Sequence, residues 1–337
     1  MQIKSIAAAS ALALVGFAAP AFAQSSVTAF GVVDLAMRSV KNNTTQDRLD
    51  ASGLSSSRLG FRGIEDLGGG LRAGFWLEGA INADDGNASG FNWQRRSTVS
   101  IMGGFGEVRL GRDKTPSGLN WDDLDPFANT GSGASGRLAG FGGTLPTGGA
   151  YTNFQRANNS IAYFTPGTSG FFGHVAVAAG EATPGNKYTG LRVGYRDGAL
   201  LVSGSYGRTE VTSAVDAKLY DIGATYDLKV VKLFGMYASL DIANASQTNY
   251  LLGLSAPLGP VELRGSYQVM DGKEAINNQE AKKLSLGGSY NFSRRTALYA
   301  NYAEIKNTNT AYTVATGSAL SRGAKSSAYE IGLRHSF

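Results

Sequence analysis

Apolar and polar residues alternate with a period of two along most of this chain, and helical periodicity is hard to find. Leu71, Ala73, Phe75 and Leu77 share one face of a predicted strand, with Arg72 and Glu78 on the other. From Val27 to Leu35 the odd positions are apolar or small, while Thr28 and Asp34 point the other way. The pattern returns with Val108 and Leu110 against Glu107 and Arg109, and with Leu191, Val193 and Tyr195 against Arg192 and Arg196. It continues with Tyr220, Ile222, Ala224 and Tyr226 against Asp221, Thr225 and Asp227. Val261, Leu263 and Tyr267 oppose Glu262, Arg264 and Gln268, and Leu284, Leu286, Tyr290 and Phe292 oppose Ser285, Ser289 and Asn291. One face of each strand is uncharged. A soluble sandwich gives the same alternation, so no single strand decides the class.

The connections decide more. Short turns at 66–70, 103–106, 166–170, 197–198, 228–229, 257–260 and 293–295 interleave with longer polar segments. Those segments are 39–54, 83–93, 114–157, 181–186, 211–216, 243–246, 271–280 and 307–325, so sixteen strands are joined. That leaves roughly 20 residues for each strand and its connection, which suits ~10-residue strands tilted across an outer membrane with short turns on one side and longer loops on the other. A closed barrel also leaves no unpaired sheet edge. Tyr195, Tyr226, Tyr237, Tyr267, Tyr290, Phe292 and Tyr329 fall near strand ends, where interfacial girdles place aromatic rings. The prediction is an all-β chain: a transmembrane antiparallel β-barrel of 16 strands.

The first 23 residues read as an export signal. Lys4 precedes an apolar stretch from Ile6 to Ala19, and Ala21-Phe22-Ala23 is the small-x-small pattern of a cleavage site. Cleavage after Ala23 leaves residues 24–337 as the barrel and lowers the net charge from +5 to +4 through loss of Lys4. No later run reaches ~18 apolar residues, so no membrane-spanning helix is expected. Composition narrows the chemistry further. Glycine is high at 46 of 337 residues and charged residues are low at 17%. The chain has no cysteine and two histidines, which removes disulfide scaffolds, thiolate metal sites and cysteine nucleophiles. No cofactor and no metal are implied.

The last strand, Tyr329-Glu330-Ile331-Gly332-Leu333-Arg334-His335-Ser336-Phe337, alternates to a terminal aromatic. Phe337 so placed looks like the tag by which the barrel-assembly machinery recognises outer-membrane barrels. Further motifs are Val32-Val33-Asp34-Leu35, Ser57-Arg58-Leu59-Gly60-Phe61-Arg62-Gly63 and Glu65-Asp66-Leu67-Gly68-Gly69-Gly70-Leu71. With Gly104-Phe105-Gly106-Glu107-Val108-Arg109-Leu110-Gly111-Arg112, they make the chain resemble the Gram-negative general porins, nearest to the anion-selective porins of betaproteobacteria. The resemblance spans the mature chain, strongest over 25–112 and 156–165 and weakest in the outer loops. It implies a homotrimer in the outer membrane, among lipids and lipopolysaccharide, with one water-filled pore per subunit. It also implies a long third loop, about 113–157, folded into the pore as a constriction.

Loop 3 carries Asp122, Asp123 and Asp125 near Phe127, then a Gly/Ser stretch and Arg137. In the family an acidic cluster on this loop faces arginines on the opposite wall. Asp125-Pro126-Phe127 lies at the corresponding place without the family's usual Pro-Glu-Phe wording, which leaves open which aspartate faces the pore. Parity tests the arginines. Outward Leu59 and Phe61 put Arg58 and Arg62 inside, and outward Ile161 and Tyr163 put Arg156 inside if its strand starts there. Parity from Val99 and Ile101 favours Arg96, whereas resemblance to the family favours Arg95. The expected basic ladder is therefore Arg58, Arg95 and Arg156 with Arg96 in reserve, moderated by Glu78 and the loop aspartates. A ring of fixed positive charge in a narrow aqueous channel favours anions, and guanidinium stays charged at any workable pH.

The expected function is passive diffusion of small hydrophilic solutes, anions ahead of cations. The alternative is a substrate-specific channel for dicarboxylates or phosphate, and a barrel adhesin or hydrolase is a third reading. Gly131 to Gly136 matches a dinucleotide-binding pattern but has no strand before it and no helix after it. Asn42-Asn43-Thr44 and Asn87-Ala88-Ser89 read as sequons of little meaning for a bacterial export product. Basic residues are scattered along strands, which argues against nucleic acid as a partner. With His174 on a lumen face and His335 at the C-terminus, no lipid-side Ser/His pair supports an enzyme.

Overall fold

The structure, a computed structural model of the 337-residue chain, describes residues 26–86, 92–140, 154–183 and 185–337. The expected leader 1–23 and the Asn87-Ala88-Ser89 sequon lie outside the described residues. The chain begins with β1 (Ser26–Lys41), β2 (Thr45–Ala51), β3 (Arg58–Gly68), β4 (Leu71–Ala80), β5 (Arg96–Gly103) and β6 (Gly106–Lys114). A helix, α1 (Pro116–Leu124), and a 3-10 turn (Ser135–Leu138) precede β7 (Arg156–Phe164), β8 (Gly170–Ala178) and β9 (Tyr188–Arg196). Long strands follow: β10 (Leu200–Thr212), β11 (Val215–Asp227), β12 (Lys232–Ile242) and β13 (Ala245–Leu258). The chain ends with β14 (Val261–Glu274), β15 (Glu280–Asn291), β16 (Thr296–Thr308) and β17 (Ser326–Ser336).

Every neighbouring pair is antiparallel, and β17 pairs back onto β1 from Val32 opposite Ser336 to Lys41 opposite Ser327, which closes the sheet. β2 pairs with the second half of β1 and β3 with the first half, so the two segments are one barrel strand interrupted at 52–57. The interruption has a local cause. The Asp34 carboxylate accepts from the backbone N–H groups of Gly53, Leu54 and Ser55 at 3.1, 2.9 and 2.6 Å, which draws those donors out of the ladder. Seventeen segments thus build the expected sixteen-stranded barrel.

The two faces follow the alternation. Val99, Ile161 and Leu252 are 54%, 52% and 72% exposed on the outside. Ser100, Arg192, Asp221, Gln268 and Ser285 are buried on the inside. Cross-strand tyrosine pairs, Tyr206 with Tyr220, Tyr237 with Tyr250 and Tyr302 with Tyr329, form a belt over β10–β17 at ring separations of 5.0, 5.2 and 4.7 Å. A second aromatic row at the turn end includes Phe171 with Tyr195 and Tyr290 with Phe292. This is the exterior of a barrel in a bilayer. Among the described residues no helix is long and apolar enough to span.

Three features differ from the sequence expectation. Much of the loops expected at 39–54, 211–216, 243–246 and 271–280 is strand, because the hairpins run on past the apolar band. There the outward face is charged and forms ion pairs, Arg208 with Asp216 across β10 and β11 at 2.7 Å and Lys282 with Glu280 along β15 at 2.8 Å. Apolar alternation stops where lipid stops, so it cannot reveal these extensions. The wall is consequently uneven: β10–β16 have 11–14 residues and β5–β9 only 8 or 9. The third difference is α1. Thr115 caps it by accepting from Gly118 N–H at 3.0 Å and Pro116 opens its first turn, a valid start signal that the prevailing strand pattern masks.

Loop 3 turns into the barrel. Trp121 and Leu124 are fully buried against Leu219, Met236, Leu240 and Leu251 of β11–β13, and Leu138 against Met270, Ile305 and Val314. Each such side chain contributes roughly 1.5–3 kcal/mol of burial. Polar contacts fix the tip. Ser132 N–H donates to Glu330 at 3.3 Å, Gln247 donates to the Leu138 carbonyl at 2.7 Å, and the buried Lys283 ammonium contacts the Ala134 carbonyl. Loop 3 therefore lines one wall, β10–β17, and leaves the passage against the opposite one.

Candidate functional site

The opposite wall, β3–β7, carries the charge. One cavity of 490 Å³ is lined by Arg58, Arg62, Arg95, Arg96, Arg109, Lys114 and Arg156, with Glu78 and Asp113 as its carboxylates. With Glu107 on Arg109 and Asp122 on Lys114 counted as well, seven cations against four carboxylates set the sign of the local potential, and the low-dielectric barrel focuses it. The four sequence-predicted arginines therefore lie in one place, together with predicted Glu78.

Glu78, on β4, is the centre of the group. Its Oε1 accepts from Arg95 Nε at 2.5 Å and lies 3.7 Å from Arg58 Nε, while its Oε2 accepts from Trp76 Nε1 at 3.0 Å. Arg156 reaches the same patch by donating from Nε to the Arg95 carbonyl at 2.8 Å. On β5, Arg96 donates to Thr98 at 3.1 Å and sits 3.5 Å from Asp113. The parity conflict between Arg95 and Arg96 dissolves in the geometry. Arg96 begins β5 and follows its alternation, whereas Arg95 precedes the strand at a bend, where alternation does not apply. Both reach the cavity. Arg156 does begin β7, yet a register shift opposite Gly111–Asp113 and a positive φ of 50° at Asn159 break the count between Ile161 and Arg156.

The three loop aspartates separate cleanly. Asp122 contacts Lys114 and lines a 240 Å³ cavity with Arg58, Arg95 and Arg156. Asp123 faces a second basic pair, 2.7 Å from Arg192 and 3.0 Å from Arg196. Asp125 is buried and organises the loop itself, accepting from Phe127, Asn129 and Ser135 backbone N–H groups at 2.9, 3.1 and 2.7 Å. Arg137, also in loop 3, is exposed and is not part of the loop's packed interior.

Residues outside the predicted set also belong to the site. Arg109 pairs with Glu107 at 2.9 Å and with Asp113 at 2.5 Å, and Arg62, Lys114, Arg192 and Arg196 line the same passage. The alternation already placed Arg109, Arg192 and Arg196 opposite apolar neighbours; it did not say which inner-face residues meet. Phe337 lies away from the pore, its backbone exchanging two 3.1 Å hydrogen bonds with Gly31 at the seam. A Cβ on residue 31 would stand 2.3 Å from the Phe337 ring, so glycine makes room for it.

A family model described as Gram-negative porin matches residues 8–310. The chain is 43% identical over 352 residues to "Outer membrane porin protein 32" of Delftia acidovorans, covering 97% of this chain and 98% of that protein. It is 30% identical over 407 residues to an outer membrane porin protein of Bordetella pertussis, covering 99% and 100% of the two. Among solved structures, the anion-selective porin from Comamonas acidovorans aligns with a TM-score of 0.83 at 38% identity, covering 93% of this chain and all of that one.

Proposed function

The chain belongs to the Gram-negative porins of the outer membrane, and from that premise we propose that it is a passive diffusion channel that prefers anions. One observation carries the selectivity: seven cations against four carboxylates around one cavity of the pore. Arg58, Arg95, Arg156 and Arg96 supply the field, and Glu78 with Asp122 keeps any one site from holding an anion too tightly to release it. Small solutes cross down their gradient without energy coupling. The likeness to the anion-selective porin from Comamonas acidovorans supports the same reading.

The test is the reversal potential in a planar bilayer under a KCl gradient, for the wild type and for Arg58→Ala, Arg95→Ala and Arg156→Ala. The expected sign is anion preference, reduced in each variant. A cation-preferring wild type overturns the selectivity, and unchanged selectivity in all three variants overturns the arginine assignment.

The same reading includes cleavage after Ala23, assembly through the strand that ends in Phe337, and a homotrimer. The outward face of β3–β6 is apolar over Phe61, Phe75, Val99, Ile101 and Leu110, with Glu65 at its turn end, and this apolar stretch suits contact with other copies. Heat-sensitive trimers on a denaturing gel are the expected result.

A further inference from the structure

Five arginines of the pore wall lie on aromatic rings. Arg62 sits 5.5 Å from the centroid of Phe30 and 5.1 Å from that of Trp76, and Arg96 covers Trp76 at 4.5 Å. Arg109 lies 4.2 Å from Phe164, whose other neighbour is the ring of His174, stacked at 4.0 Å with planes 14° apart. Arg192 and Arg196 lie 5.1 and 5.4 Å from Phe172. These residues occupy the inner face from β3 to β9, with Phe30 of the adjoining β1, and form a row of guanidinium–ring pairs.

The row runs from the constriction, whose cavity Arg62, Arg96 and Arg109 also line, to its turn side. Cavities of 370 and 480 Å³ open there, the first containing Arg62, Trp76 and Arg96 and the second Phe172, Arg192 and Arg196. The second is also bounded by Gly103, Gly106 and Pro166 of the short turns, which in such barrels are periplasmic. Arg62 is exposed and, among the described residues, makes no ion pair. Its charge is available to a solute.

A guanidinium laid on a ring is held flat by it. One face is taken by the ring and the second remains. Among the described residues the forked N–H edge carries no ion pair at Arg62, whereas Arg96, Arg109, Arg192 and Arg196 share theirs with Asp113, Glu107 or Asp123, which an incoming carboxylate joins or displaces. An aliphatic carboxylate can use the edge alone. A planar aryl carboxylate can use both, its oxygens on the N–H fork and its ring over the guanidinium plane.

We propose that this row is a subsite for aromatic carboxylates, running from the constriction to its periplasmic side. It rests on the anion-channel reading and adds the class of organic anion that the pore retains. Single counter-ions bind at any arginine; a planar conjugated acid is retained by the successive pairs from Arg62 to Arg196.

The test compares benzoate with cyclohexanecarboxylate, which share charge and ring size but differ in planarity and π-electrons. Each is added to the periplasmic side of oriented channels, and the concentration that halves the chloride current is read. The expected half-block concentration is about fivefold lower for benzoate, the factor matching an exposed stacking contact. Trp76→Leu and Phe172→Leu should each narrow the gap, and Trp76→Phe should restore most of it. Equal block by the two acids in the wild type overturns the proposal, as does a gap unchanged in both leucine variants. The KCl reversal potential in the same membranes separates the readings: a cation preference removes the anion channel itself, while an anion preference with equal block removes the aryl subsite alone.

Discussion

Arg95 Nε stands 2.5 Å from Glu78 Oε1, so the carboxylate at the centre of the basic cluster is committed to the one arginine that precedes its strand. Replacing Glu78 by glutamine keeps the shape and removes the charge. The anion-to-cation permeability ratio should rise by about two- to fivefold, because an opposite charge within a few ångströms of the passage no longer offsets the arginines. A bilayer reversal potential checks this. A lower ratio than wild type would falsify the moderating role of Glu78.

The aspartates of loop 3 should divide by readout. Asp122→Asn frees Lys114 beside the pore and should raise anion selectivity with little change in stability. Asp125→Asn weakens three hydrogen bonds to backbone N–H groups, two of them buried, and should cost about 1–3 kcal/mol, seen as earlier thermal loss of the folded barrel. If Asp125→Asn altered selectivity alone and left the melting curve in place, the assignment of Asp125 as an organiser of the loop would be wrong.

Salt should erode the preference. The arginines act on ions through water, and the Debye length shrinks from ~10 Å at 0.1 M to ~3 Å at 1 M. The permeability ratio measured in KCl gradients centred on those two concentrations should fall severalfold. A ratio independent of salt would point to selection by direct coordination.

The seam is sterically committed. Gly31→Val places side-chain atoms where the Phe337 ring lies and where the Arg58 carbonyl would be 2.9 Å from Cβ. Because β1 closes the barrel by pairing with β17, the variant should give a lower yield of heat-resistant folded protein than Gly31→Ala, itself below wild type. Equal yields from all three would show that the seam tolerates displacement of Phe337.

Much of the fold was legible because a barrel in a bilayer gives every strand two fixed environments. Residues such as Val99 and Ile161 face outward while Ser100 and Ser160 face the inside, so the class follows from each strand's own alternation. The signal weakens wherever the environment changes. The hairpin extensions at Arg208–Asp216 and Glu280–Lys282 leave the bilayer, and their outward charges read as loop. α1 is short and packs on the inner wall through Trp121 and Leu124, a contact with no trace in strand periodicity.

The candidate site divides in the same way. Alternation alone gives Arg58, Arg62, Arg96 and Arg109 an inner face, since each sits in a strand with apolar neighbours on the other side. It fails for Arg95 at the bend before β5 and for Arg156 beyond the irregularity at Asn159, where two-residue periodicity no longer holds. Asp125 acts within loop 3, on backbone N–H groups no more than 10 positions away, whereas Asp123 meets Arg192, 69 positions along the chain, only because loop 3 descends into the barrel. Which side a residue faces is a local property, set by one strand between lipid and water. Which residues then meet is set by barrel closure and loop packing, and these exist only once all sixteen strands have come together.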